Sequence, residues 1–146
     1  MFRGRFEHAL DAKGRLSVPV YFRELLATHY DERLIVTNFD GCLWAYPMAE
    51  WMEIEQKIAQ LPQFKEEVKA LQRVFVSGAA ECPLDKAGRI LLPPALRDYA
   101  GILREVTLVG ATRRIELWAR ERWVVVFNGA QSALNDMGER LAGLGL

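Results

Sequence analysis

Two short stretches of this chain carry residue types that could do chemistry, and they are near copies: Asp11-Ala-Lys-Gly-Arg15 and Asp85-Lys-Ala-Gly-Arg89. An acid–base dyad would need the two aspartates to share a proton. Here each Asp stands three residues before a Gly, which is turn chemistry: the carboxylate closes an Asx-turn and Gly supplies a positive φ. Arg15 and Arg89, with Lys13 and Lys86, are the residue types that hold phosphate and, through the guanidinium fork, guanine edges. The competing role is local, since each arginine could pair with the Asp of its own turn, a surface interaction worth little. Asp11, Gly14, Asp85 and Gly88 are thus expected to shape two loop tips, and Lys13, Arg15, Lys86 and Arg89 to be their cationic cargo. Arg3 and Arg5, on the polar face of the first strand, are supporting candidates.

Other chemistries find little support. His8 and His29 have no partners at metal-ligand spacing, and Cys42 and Cys82 are too few for a disulfide framework or a four-ligand zinc site. No P-loop, G-x-G-x-x-G, H-E-x-x-H or G-x-S-x-G pattern occurs. No catalytic residue, metal or cofactor is expected.

The two loops belong to a longer repeat. Shifting the chain by 74 places lays Glu7–Trp44 over Glu81–Trp118 without a gap, with 10 of 38 positions identical. The clearest shared unit is E-x-x-L-D-x-x-G-R-[LI]-x-x-P-x-x-x-R, and Trp44 falls on Trp118. Two copies are too few for a solenoid, so the spacing suggests a pseudo-twofold pair, like a homodimer fused into one chain.

The elements that must position the loops can be read from one copy. Phe2, Phe6, His8 and Leu10 alternate with polar residues, the period of a half-buried strand. After the Asp11–Gly14 turn, Arg15–Val18 reads as a returning strand, making a hairpin. Pro19 suits a helix start, with Phe22, Leu25 and Leu26 as its apolar face. Leu34–Phe39 and Cys42–Tyr46 flank Asp40-Gly41, a strong hairpin signal. The second copy follows with Ile90–Leu92, a helix opened by Pro93-Pro94, and a hairpin of Val106–Ala111 and Ile115–Ala119. Arg23 and Arg97, after the helix starts, are expected to make internal or interface salt bridges, and Arg113 and Arg114 to lie on a solvated turn. Trp51, Ile54, Ile58 and Leu61 mark a helix ended by Pro62; Phe64, Val68, Leu71 and Phe75 mark another. Arg120–Phe127 reads as helix, Gln131–Met137 as a weaker one, and Gly138, Gly143 and Gly145 as a fraying tail.

The chain has 146 residues, 51% hydrophobic, with 19 basic and 19 acidic side chains. That excludes wholesale disorder and a globally basic nucleic-acid binder. Charge is nevertheless segregated: residues 1–23 hold five basic against two acidic side chains, residues 48–72 three against five. No apolar run exceeds five residues, as in Trp123–Phe127, far short of the ~20 that span a bilayer. The N-terminus has no signal-peptide core, and a reducing cytosol is the expected setting.

Two copies of D-x-x-G-R, each flanked by a strand and a Pro-led helix, resemble the AbrB-like DNA-binding module. Two such modules in a chain of this length, opening Met-Phe-Arg-Gly, closely resemble the MraZ family of bacterial transcriptional regulators, encoded with cell-division and cell-wall genes. The resemblance covers nearly the whole chain. It implies an α+β fold in which two tandem AbrB-like swapped-hairpin β modules form a pseudo-twofold β-barrel with flanking helices. The modules would be residues 5–47 and 78–124, joined by a helical linker at 48–77 and followed by a C-terminal helix and tail at 125–146. It further implies a cytoplasmic, nucleoid-associated regulator, not an enzyme. Its partners would be double-stranded DNA, at repeated promoter boxes, and itself, in a ring-like homo-oligomer, with no membrane and no small-molecule substrate. The family's D-x-x-x-R signature falls on Asp11, Arg15, Asp85 and Arg89. The chain departs from strict duplication at its lysines, since Lys86 stands one place earlier in its loop than Lys13. A single module with so few cations binds weakly, but linking sites raises avidity by roughly 10²–10⁴.

Two other functions remain compatible with the residues: an oligomeric protein-interaction scaffold working through the helices of Met48–Val76, and an enzyme using the two aspartates in a cleft.

Overall fold

The strand that opens the chain does not pair with the strand that follows it. A computed structural model describes residues 1–146. In it β1 (Arg5–Ala9) runs into the Asp11 turn, and β2 (Arg15–Ser17) leaves it. β1 pairs with β7 (Glu105–Ala111), while β2 pairs with β6 (Arg89–Leu91). The expected β1–β2 hairpin is therefore corrected: the turn forms, closed by Asp11 N–H to Arg15 C=O at 3.0 Å, but each arm joins the other repeat. The second repeat reciprocates, sending β5 (Ala80–Pro83) to pair with β3 (Arg33–Phe39). Burial explains the exchange. Leu16 and Ile90, the central residues of β2 and β6, are fully enclosed, and each contributes roughly 1.5–3 kcal/mol only where both repeats close over them.

The main sheet is antiparallel, in the order β1-β7-β8-β4-β3-β5, with β4 at Cys42–Pro47 and β8 at Arg114–Ala119. It has two free edges and stands beside the separate β2–β6 ribbon, so the fold is a mixed α/β arrangement around an open six-stranded sheet and not the closed barrel expected. Helices α1 (Val20–His29) and α4 (Pro94–Ala100) follow the ribbon strands. Phe22, Leu26, Leu92 and Leu96 join Leu16, Ile90 and the inner face of the sheet in one core shared by both repeats.

The two β-hairpins match, but not at the offset of the loops. Leu34 faces Pro47 in the first, and Val106 faces Ala119 in the second. The second copy has two residues fewer between its loop and its hairpin, so the shift drops from 74 to 72. The structural equivalent of Trp44 is Glu116, its cross-strand partner, and Trp118 matches Tyr46. A two-residue slip keeps every side chain on its face of a strand, so the alternation of faces is the same at either offset. Trp118 is buried; Trp44 lies partly buried under the Arg114 guanidinium, 3.7 Å from its ring centre. Arg114 also pairs with Glu116 at 2.7 Å, so it is not the solvated side chain expected, whereas Arg113 is exposed.

On the outer face, α2 (Met48–Ala59) lays Trp51 and Ile58 against Ile35 and Tyr46. α3 (Glu66–Leu71) then passes into a π-helical turn at Gln72–Val76 that brings Phe75 to 5.3 Å from Trp51. The Phe75 and Val74 carbonyls accept hydrogen bonds from Thr37 and Asn38. Phe64 is 93% exposed in the turn before α3 and takes no part in that face. The C-terminal helix α5 is continuous from Arg120 to Asp136, not two pieces, and Gly138–Gly143 forms a short α6 where a frayed tail was expected.

Because β1, β2 and β5 all find their ladders in the opposite repeat, residues 1–74 expressed alone should show no cooperative thermal transition by circular dichroism, while the full chain melts in one step. A sharp melt of the half-chain would contradict this.

Candidate nucleic-acid interface

Each loop is wound around its aspartate. The backbone N–H groups of Lys13 and Arg15 both donate to Asp11 Oδ1 at 2.9 Å, and those of Ala87 and Arg89 do the same to Asp85 Oδ1. The second oxygen takes the arginine: Arg15 Nε lies 2.6 Å from Asp11 Oδ2, and Arg89 Nε 3.1 Å from Asp85 Oδ2. The local pairing weighed from the sequence is thus realised in both copies. It does not exhaust the guanidinium. An arginine gripped at Nε still presents its two Nη groups, and both side chains remain about one-third exposed, at 32%. The aspartates orient the arginines without hiding them.

The loops are locked to one another. Val18 N–H donates to Gly88 C=O, and Leu92 N–H to Gly14 C=O, each at 3.0 Å. Gly14 (φ +83°) and Gly88 (φ +76°) take up left-handed backbone, and a Cβ on either would strike an arginine of the opposite repeat: Arg97 at 2.9 Å, Arg23 at 2.5 Å. Arg23 and Arg97 make no salt bridge, contrary to expectation. Their Nε atoms cap the Val18 and Leu92 carbonyls at 3.0 and 3.1 Å, and their guanidinium groups support the loop across the pseudo-twofold. The signal was present in the sequence, since each repeat carries both a Gly and an Arg, but the contact runs between copies.

The ribbon brings the two arginines to one face. Arg15 stands opposite Leu91, and Ser17 opposite Arg89; the alternating residues Leu16 and Ile90 point into the core. The arginines therefore sit diagonally, and Arg89 Nη1 approaches Asp11 Oδ2 at 3.8 Å. The groove here is lined by Lys13, Arg15, Arg89 and Arg97, with carboxylates only from Glu81 and Asp85. The related groove on the other side has Arg23 and Lys86 against Glu24, Glu32 and Asp85. The first is the anion-attracting side. Lys13 and Lys86 are exposed but not equivalent: Lys13 supplies an Asx-turn N–H, and Ala87 holds that place in the second loop.

Arg3 and Arg5 are not gathered here. Arg5 lies at the far end of β1, six residues or roughly 20 Å from the turn, and its guanidinium covers the Phe127 ring at 4.7 Å. Burial pushes the Cys82 thiol up to about 11 and that of Cys42 higher still, so neither is a nucleophile at neutral pH.

Backbone donation from Arg15, its side chain and the Lys13 N–H hold the Asp11 carboxyl at about 2, and donation chiefly from the Arg89 backbone lowers Asp85 as well. A depressed carboxylate stabilises the fold in full above its unfolded value near 3.9 and loses that contribution as pH falls through its folded value. Carboxyl NMR should place the Asp11 midpoint near 2, and the Lys13 and Arg15 amide shifts should stay constant from pH 7 down to about 4. A midpoint near the usual carboxylate value would contradict the loop geometry.

Comparison with known proteins bears on the whole chain. The family model described as "MraZ protein, putative antitoxin-like" matches residues 1–74 and again residues 75–143. The proteins named transcriptional regulator MraZ from Natranaerobius thermophilus and Carboxydothermus hydrogenoformans are 43% and 45% identical, each alignment covering 97% of this chain and 96% of the relative. That of Desulforamulus reducens is 44% identical over 99% of both. These names are those of regulators, not of enzymes. Matched in both of its halves, and by relatives along nearly its full length, the chain belongs to the MraZ family.

Proposed function

We propose that this protein is a transcriptional regulator that binds double-stranded DNA with the β2–β6 ribbon and its two loops. The observation that carries the reading is the placement of Arg15 and Arg89: diagonal on one ribbon face, held at Nε by their aspartates, and each still about one-third exposed. A two-stranded ribbon fits the major groove, and arginine forks read guanine O6 and N7 there. Lys13 and Lys86 at the tips supply phosphate contacts. Arg3 and Arg5 would join only where DNA runs along β1. In this reading residues 5–47 and 78–124 are the DNA-binding modules, related to the AbrB-like swapped-hairpin class by their exchanged strands. Residues 48–77 link them, and 125–146 form the C-terminal helix and tail. The targets are repeated boxes in promoters of cell-division and cell-wall genes, its own included, met in the cytoplasm at the nucleoid. No helix is long and apolar enough to cross a membrane.

Repeated boxes call for repeated proteins. α5 buries none of its residues and exposes Val124, Val125 and Val126, Val125 at 72%. α2, its structural counterpart, is covered by Phe75, and nothing in the chain plays that part for α5. An uncovered apolar helix face supports self-association into a homo-oligomer.

Arg15→Ala and Arg89→Ala should each lower affinity for DNA from upstream of the protein's own gene by roughly 5- to 150-fold, since a bidentate contact is worth about 1–3 kcal/mol. Each should also flatten the salt dependence by about one phosphate. Thermal stability should change little, because surface ion pairs contribute about 0–1 kcal/mol. Unchanged mobility shifts would overturn the assignment and leave the interaction-scaffold reading. Val125→Asp should reduce the solution mass measured by light scattering without unfolding the chain; an unchanged mass would exclude α5 from the assembly.

A further inference from the structure

The outer face of the β2–β6 ribbon carries two cations, and only one of its other two side chains is apolar. Its four side chains are Arg15, Ser17, Arg89 and Leu91, and the pseudo-twofold equates Arg15 with Arg89 and Ser17 with Leu91. Leu91 is 58% exposed and stands directly opposite Arg15, within the groove that Lys13, Arg89 and Arg97 line. Neighbouring Ile90 and Leu92 are fully enclosed, so the core does not need a third apolar side chain here. Leu91 is the one apolar side chain on the outer face of the ribbon. The groove beside it is walled by Pro83, Pro93 and Pro94 as well as by the guanidinium groups, with carboxylates at Glu81 and Asp85. An incoming ligand thus meets a hydrophobic contact beside two hydrogen-bonding forks. On the floor of the major groove the apolar feature is the C5-methyl of thymine.

We propose that Leu91 is a specificity-determining residue that packs on a thymine methyl, and that Ser17, at the symmetric position, makes no such contact. This rests on the DNA-binding reading above and deepens it. The ribbon is then chemically asymmetric: its two halves share arginine forks but differ in the base they favour beside them. A protein built from two similar repeats would read an asymmetric box, and the direction of that box would orient the molecule on DNA.

The test uses the full-length chain and a duplex spanning the DNA upstream of its own gene. The footprint of the wild-type protein is mapped, and the duplex is resynthesised with uracil in place of each thymine in turn, which removes only the methyl. At one thymine or more, uracil should weaken wild-type binding about three- to tenfold, the scale of one buried methyl group, and should leave Leu91→Ser binding unchanged. Ser17→Leu should acquire a second uracil-sensitive position on the opposite side of the site. Circular dichroism melting of both variants, one at exposed Leu91 and one at half-buried Ser17, checks that the ribbon is intact. If every thymine-to-uracil change affects wild type and Leu91→Ser alike, the inference is overturned while DNA binding stands. If the wild type leaves no footprint, the DNA reading falls and this inference with it.

Discussion

Two glycine carbonyls hold the proposed DNA-binding surface in place. Gly14 accepts from Leu92 and Gly88 from Val18, so each loop is tied to the strand leaving the other. The same two glycines leave room for Arg97 and Arg23 to slide beneath them. A larger residue would meet both a strained backbone and an arginine side chain already bonded to a carbonyl of its own repeat. Each loop closes on its own residues, but the position of each arginine on the ribbon depends on the partner repeat being folded.

That constraint explains why the loops can be rigid at the surface of a chain with no net charge. Loop tips are ordinarily mobile, and a flexible arginine gives up much of its freedom on binding. Here the aspartate fixes the backbone through two N–H groups and the side chain through Nε. The carboxylates that would seem to oppose a polyanionic partner are spent on orientation, and the segregation of charge leaves one groove with more cations than acids.

The two repeats differ most in the layers outside the ribbon. The first is completed by α3 and the π-helical turn, which cover Trp51 and Tyr46 with Phe75. The second ends in a long helix whose apolar side chains stay in solvent or rest on one another, as Trp123 does on Trp118 and Phe127. The inner core is common property; the outer layers are private, and only one of them is closed within the chain.

The amino-acid sequence by itself determined the doubled loop, its Asx-turn chemistry, the Pro-led helices and the β-hairpins, because each rests on contacts between residues close in the chain. Asp11 with Arg15, or Asp40 with Gly41, announces its geometry within five positions. Tertiary structure alone decided which strands pair. β1 was legible as a strand, but its partner is β7, some hundred residues away, and the turn after it looks the same whether its arms pair together or part. It also decided the fate of Arg23 and Arg97, whose guanidinium groups reach the glycine of the opposite repeat. It corrected the equivalence of Trp44 and Trp118 as well, since a two-residue slip in a strand preserves the alternation of faces from which strands are read. Local pattern identifies an element, but its partner is chosen by which arrangement buries Leu16 and Ile90 together, and that is a property of the whole chain.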